Sequence, residues 1–192
     1  MSEAAAIAPQ SALMGAHHAG RVVLADAGLI GMVSIRGDLG DGAFRAAVAE
    51  VTGHEVPDQR GMIGNAAGGL GWMSPDELMA FCPHAQAEAL AQRLRDRLAG
   101  THHMVTVLSD ARAEIRLSGA GWREVLAKGA PVDLHPASFT HGEIRRSRLG
   151  QVPVAFWATE TGAELVCFRS VAGFVFEWLV TAETGGPVGL FD

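Results

Sequence analysis

The feature that most restricts the fold is an internal repeat: two stretches about eighty residues apart carry the same order of signals. In the first, VSIRGD from Val33 reads as a strand, and DGAFRAAVAEVTG follows with Phe44, Ala47, Val48 and Val51 at i, i+3, i+4 and i+7. That spacing places the apolar side chains on one face of a helix, and Gly53 is positioned to end it before the connection HEVP. In the second, AEIRLSG from Ala113 reads as a strand, and GWREVLAKG as a shorter helix carrying Trp122, Val125 and Leu126. Gly129 is its stop and APVDLHP its exit.

The stretches that follow match as well. QVPVAFWATETGAELVCFRS reads as two β-rich runs around the polar turn TETGA, hence a hairpin. Its counterpart is GGLGWMSPDELMAFCP, which aligns Trp72 with Trp157 and LMAFC with LVCFR. Read locally, Ser74 to Glu77 make a helix start, with Ser74 as N-cap, Pro75 in the first helical position and Glu77 closing a capping box. The comparison overrides that reading: Pro75 takes the i+1 position of a turn, where its fixed φ is already correct, and LMAFC is a strand ended by Pro83.

Each hairpin leads into another helix. AQAEALAQRLRDRL sets Ala87, Leu90, Ala91, Leu94 and Leu98 on one face and Arg93, Asp96 and Arg97 on the other. VAGFVFEWLVTA is apolar nearly all round, with Glu177 its lone charge, and reads as the more buried of the two. HHMVTVLSD adds a strand through Met104, Val105 and Val107. The fold class is therefore α+β, two tandem βαββα(β) units with helices packed on antiparallel sheets. The units span residues 25–103 and 104–192 and form one compact domain after a loosely ordered lead-in at 1–24. Strands this apolar on both faces need cover on both sides.

Totals exclude several functions. A net charge of -6 gives no electrostatic footprint for a phosphate backbone, so nucleic acid is not an expected partner. The N-terminus has no basic segment or sustained apolar core of a signal peptide. The most apolar stretch, from Leu165, is interrupted by Arg169 and Glu177, which argues against a membrane span. Cys82 and Cys167 lie far apart inside apolar runs and read as buried thiols in a reducing, cytoplasmic setting; a single long-range bridge is the minority reading. Hydrophobic residues at 48% against 19% charged imply apolar surface covered by another chain.

Catalytic motifs are missing. GNAAGGLG from Gly64 lacks the Lys and Ser/Thr of a P-loop and is followed by Trp72 and a hairpin, so it reads as a flexible loop before an edge strand. The histidines show no metal-ligand spacing, and His141-Gly142-Glu143 lacks the P-C-x-x-C that would complete a deaminase zinc site. Ser118 at a strand-to-helix turn is most simply an N-cap, and Asp38 and Asp41 suit the dipole of the first helix. One cluster stands apart: GEIRRSRLGQVP sets Arg145, Arg146 and Arg148 together just ahead of a strand. Such a cluster is either a solvated loop or interface rim, or a site for a carboxylate or phosphate.

SDAR before the second-half strand, the SGAGWREVLAKGAPVDLHP run and the RSVAGFVFEWL ending resemble the gamma subunit of heterotetrameric sarcosine oxidase, over roughly residues 25 to 183. The first half supports this mainly through WMSPDEL, and a wider similarity extends to aminomethyltransferase-type folate-binding domains. The resemblance implies a small, non-catalytic subunit. Its complex would demethylate sarcosine to glycine oxidatively, passing the one-carbon unit to tetrahydrofolate or releasing formaldehyde, with hydrogen peroxide formed from oxygen. NAD, FAD, FMN and tetrahydrofolate would then sit in the alpha and other subunits, with no cofactor, metal or catalytic residue in this chain. The chain lacks the K-G-C-Y-x-G-Q-E signature of the folate enzymes, with Gly150 to Pro153 at most a remnant. Two alternatives stand beside this reading: a free-standing folate-binding or aminomethyltransferase-like module, and a gamma-type subunit of a related N-methyl amine oxidase or dehydrogenase. Trp72, Trp157, Arg145, Arg146 and Arg148 are the expected partner contacts, since aromatics and Arg are enriched in binding hot spots.

Overall fold

The computed structural model describes residues 8–191. In chain order its elements are β1 (His17–His18), β2 (Val23–Asp26), β3 (Ile30–Arg36), α1 (Gly42–Thr52), β4 (Met62–Asn65), β5 (Gly68–Ser74), β6 (Glu77–Pro83) and α2 (Ala87–Arg97). They continue as β7 (Met104–Val107), β8 (Arg112–Ser118), α3 (Trp122–Ala127), β9 (Ile144–Leu149), β10 (Val152–Ala158), β11 (Gly162–Phe168) and α4 (Ala172–Thr184).

Two antiparallel sheets result, ordered β4-β5-β6-β3-β7 and β9-β10-β11-β8-β2-β1. Each lays one face on its own helix pair. Val33, Ile35, Leu78 and Ala80 pack with Phe44, Leu90 and Leu94 of α1 and α2, while Ile115, Leu117, Phe156 and Leu165 pack with Leu126, Val175 and Leu179 of α3 and α4. The other faces meet in a third apolar layer of Met32, Met62, Met73, Met79, Phe81, Ile144, Ala155, Trp157 and Val166. The strands are apolar on both faces because helices cover one side and the other sheet covers the second. A fully buried aromatic such as Trp157 removes roughly 150–250 Å² from water, which at about 25 cal/mol/Å² is worth roughly 4–6 kcal/mol.

The duplication is visible as a pseudo-twofold. β3 and β8 hold matching central places, β5-β6 matches β10-β11, and β7 beside β3 matches β2 beside β8. The segments joining β2 to β3 and β7 to β8 cross between the sheets. Matching bonds mark these crossings: Ala27 N–H donates to the Glu114 carbonyl at 3.1 Å and Leu108 N–H to that of Met32 at 2.7 Å. The units therefore exchange a strand. The sheet built around the second half takes β2 from the chain before the first half, and the expected boundary between residues 24 and 25 falls inside that strand.

Several local expectations hold. Pro75 and Asp76 form a two-residue turn between β5 and β6, and the helix-start reading gives way to pairing of Ser74 with Glu77. In α1, Asp41 caps the N-terminus by accepting the Ala43 N–H at 2.9 Å, and Gly53 ends the helix at φ 76°, where only glycine is unstrained. The α2 stripe is buried as spaced.

Other expectations are corrected. Residues 11–24 are tied down: the Asp26 carboxylate accepts from the Ser11 hydroxyl and, at 2.8 Å, from Gly15 N–H, and Arg21 N–H donates to Glu183 at 2.8 Å. Residues 1–7 of the lead-in lie outside the described residues. The glycine run is itself the β4-β5 hairpin, with Asn65 Oδ1 accepting the Ala67 N–H at 2.9 Å. A second added strand, β9, carries the arginine cluster, so each unit has one strand more than its apolar pattern showed. Gly121 takes the N-cap position of α3 and Ser118 is the last residue of β8. Gly129 does not adopt the left-handed conformation of a helix stop; it is needed because a Cβ there would lie 2.4 Å from Trp178. α4 buries one face only and leaves Phe174 59% exposed.

Candidate functional site

The arginine segment becomes chemically informative once β9 is recognised as an edge strand. Its residues alternate faces, so neighbours in sequence separate in space. Arg145 stands opposite Phe156 on the helix side of its sheet, and Arg146 stands opposite Ala155 on the side facing the other sheet. Arg148 pairs with Pro153 and is exposed.

Arg145 is held on three sides. It donates to the Glu143 carboxylate at 3.0 Å and to the Ile144 carbonyl at 3.2 Å, and its guanidinium lies 5.2 Å from the Phe139 ring centroid. Burial works against the Glu143 charge, but the Thr140 N–H and Arg145 outweigh it and hold the carboxyl below its ordinary value. The loop entering β9 is fixed by Arg123, which donates to the Leu134 and Phe139 carbonyls at 2.7 and 2.9 Å.

Arg146 ties the sheets together. It donates to Glu77 at 3.3 Å and to the Met73 carbonyl at 3.3 Å. Glu77 also accepts from Ser34 and from Arg36, each at 2.9 Å. A carboxylate 7% exposed is tolerable only when paired in this way.

Trp72, half-buried at the edge of the first core, borders with Arg60, Asp133, Arg145 and Arg146 a surface groove of about 600 Å³. The structure thus brings Trp72, Arg145 and Arg146 to one groove. Trp157 is elsewhere, 1% exposed in the layer between the sheets, so the surface contact expected of it is unavailable. The two tryptophans are not equivalent: Trp72 faces helices, whereas Trp157 faces the opposite sheet as Met73 does, one position on. The β-bulge between Trp72 and Ser74 absorbs part of the offset that the sequence comparison missed. Arg60 and Glu77 also escaped the sequence reading. Arg60 carried no motif, and Glu77 was absorbed in the capping pattern, although its pairing beside a turn in a buried strand was a usable signal.

Both cysteines are free and buried. Burial raises the Cys82 thiol and pushes Cys167 up to about 11, outweighing the charges of Arg93 and Arg112 respectively. Among the described residues no three His, Cys, Asp or Glu side chains come together as a metal site, and no helix is long and apolar enough to cross a membrane.

Comparison with known proteins agrees with this architecture. The family model described as sarcosine oxidase, gamma subunit family, matches residues 36–185. The chain is 34% identical over 169 residues to the sarcosine oxidase subunit gamma of Arthrobacter sp., covering 86% of this chain and 82% of that one. It is 32% identical over 167 residues to that of Corynebacterium sp. (strain P-1), covering 85% and 81%. The fold superposes on a chain of the heterotetrameric sarcosine oxidase from Corynebacterium sp. U-96, solved in complex with pyrrole 2-carboxylate, with TM-score 0.79, 27% identity and 88% of both chains covered. A fold likeness extends to the glycine cleavage system aminomethyltransferase T from Bartonella henselae, with TM-score 0.58, 17% identity and 81% of this chain against 44% of that one. With matches spanning both halves of the duplicated unit, the chain belongs to the sarcosine oxidase gamma subunit family.

Proposed function

We propose that this chain is the non-catalytic gamma subunit of a cytoplasmic heterotetrameric sarcosine oxidase, and that it docks through the groove between β5 and β9. The observation that carries the reading is the superposition over 88% of both chains on a subunit of such an oxidase. The larger subunits would then oxidatively demethylate sarcosine and hold the flavins, the nicotinamide cofactor and tetrahydrofolate. A non-catalytic role is supported by thiols that burial holds protonated and by histidines engaged apart from one another, His18 with Glu183 at 2.8 Å and His84 with Asp110 at 3.3 Å. The groove suits docking because its half-buried Trp72 sits beside Arg145 and Arg146 at an unpaired sheet edge.

Co-expression with the larger oxidase subunits tests this. A yellow complex containing this chain is expected, and Arg60→Glu combined with Arg148→Glu, both at exposed positions, should reduce the chain's recovery at least tenfold without changing its melting temperature. A chain that is monodisperse alone and never co-purifies would overturn the proposal.

A further inference from the structure

A second cavity, about 340 Å³, opens between the sheets at the end where Arg36, Arg112 and Arg146 converge. Its lining sets three guanidinium groups against one carboxylate, Glu77, whose oxygens are already engaged by Ser34, Arg36 and Arg146. Among the described residues Arg112 pairs with no carboxylate. Its guanidinium rests 3.9 Å over the Phe168 ring, and its buried Nε has no hydrogen-bond partner among the described residues. Burial works against this charge, Glu77 partly offsets that and Arg146 adds to it.

The cavity floor is apolar and aromatic. Phe81 and Trp157 lie with ring centroids 5.0 Å apart, tilted at 53°. The Trp157 indole N–H, in a side chain 1% exposed, is a second buried donor without a partner among the described residues. Buried donors are almost always satisfied, and leaving one empty costs on the order of 1–3 kcal/mol. Nor does the fold require a cation here, because the pseudo-twofold places Ile30 where Arg112 stands, each opening the central strand of its sheet. Cationic rim, unpaired donors and apolar aromatic floor share one chemical complement.

We infer that this cavity binds a small organic acid, its carboxylate taken by the Arg112 fork and its apolar body lying on Phe81 and Trp157. A carboxylate accepts two parallel N–H bonds from one guanidinium, whereas Lys offers a point charge.

The probe is 4-fluorobenzoate titrated into the ¹⁵N-labelled full chain, following the Trp157 indole cross-peak, assigned through Trp157→Phe, together with the ¹⁹F line of the ligand. A saturable shift is expected, weakened at least tenfold in Arg112→Met and less in Arg112→Lys, which keeps the fold under test if the Met variant unfolds. An indole peak that stays fixed, or moves equally in Arg112→Met, would overturn the site. Inorganic phosphate displacing the probe as well as unlabelled benzoate does would overturn the organic acid in favour of a simple anion. The ¹⁹F titration repeated on the complex, read as the difference between wild-type and Arg112→Met chains, separates a free acid from a partner's carboxylate. Retained binding supports the inference, and its loss on assembly would overturn it.

Discussion

Glu114 occupies the central-strand place that the pseudo-twofold gives to Met32 in the other sheet, and it is 1% exposed. Burial, with the Glu164 charge adding and Arg116 opposing, pushes its carboxyl up to about 8. Between the ordinary value near 4.5 and about 8 the folded chain therefore holds a proton that the unfolded chain has released. Stability should fall as pH rises through that window, by on the order of a few kcal/mol. Urea midpoints at pH 5, 7 and 9 should show this decline, and Glu114→Gln should flatten it and be the more stable protein at pH 9. A wild-type profile already flat from pH 5 to 9 would contradict a protonated Glu114. At the same scale, Cys167 should resist alkylation at pH 8 in the folded chain and react after denaturation, as a fully buried thiol pushed up to about 11 requires.

At the scale of elements, the ends of α1 make a clean test. Asp41→Ala removes the acceptor for the Ala43 N–H, and Gly53→Ala forces a Cβ onto a residue at φ 76°. Each should cost about 1 kcal/mol by thermal or urea unfolding. These two positions also show what was legible in sequence: α1, α2 and the second hairpin follow from spacing and punctuation, and the Pro75 turn with its hairpin from matching the two halves. β4 and β9 did not. β4 is short and glycine-bearing, and β9 alternates charge on both faces because one side meets the loop before it and the other meets Glu77. An edge strand needs no apolar face of its own, so no period-2 signal marked it. The candidate site was legible as residue types and lost as geometry: the run of arginines was evident, but the faces dividing Arg145 from Arg146 exist only once register is fixed.

At the scale of the molecule, the exchanged strand makes the two sheets interdependent. Removing residues 1–26 takes β1 and β2 from beside β8, deletes Val22 and Leu24, both at most 1% exposed, and uncovers the core around Leu117, which Leu24 pairs with. The deleted chain should lose near-ultraviolet circular dichroism and aggregate, although every residue of the sheet ordered β4-β5-β6-β3-β7 remains. Tandem halves at 25–103 and 104–192 would tolerate that deletion with little loss, so the experiment separates exchange from simple succession. The exchange was invisible in the sequence because β2 is only four residues long and its partners in β8 lie about ninety residues further along the chain.

The docking claim rests on an edge that is open in the isolated chain. β9 pairs with β10 along its length, and among the described residues the backbone bonds on its outer side lie at its start, from Ile144 N–H to the Arg60 carbonyl at 2.8 Å and from Met62 N–H to the Gly142 carbonyl at 2.7 Å. Hydrogen exchange of this chain, free and within the purified oxidase complex, tests that claim most directly. Amides of residues 59–61 and 144–149 should slow at least tenfold on assembly; unchanged exchange there, with protection confined to α4 or to the opposite end of the sheets, would contradict it.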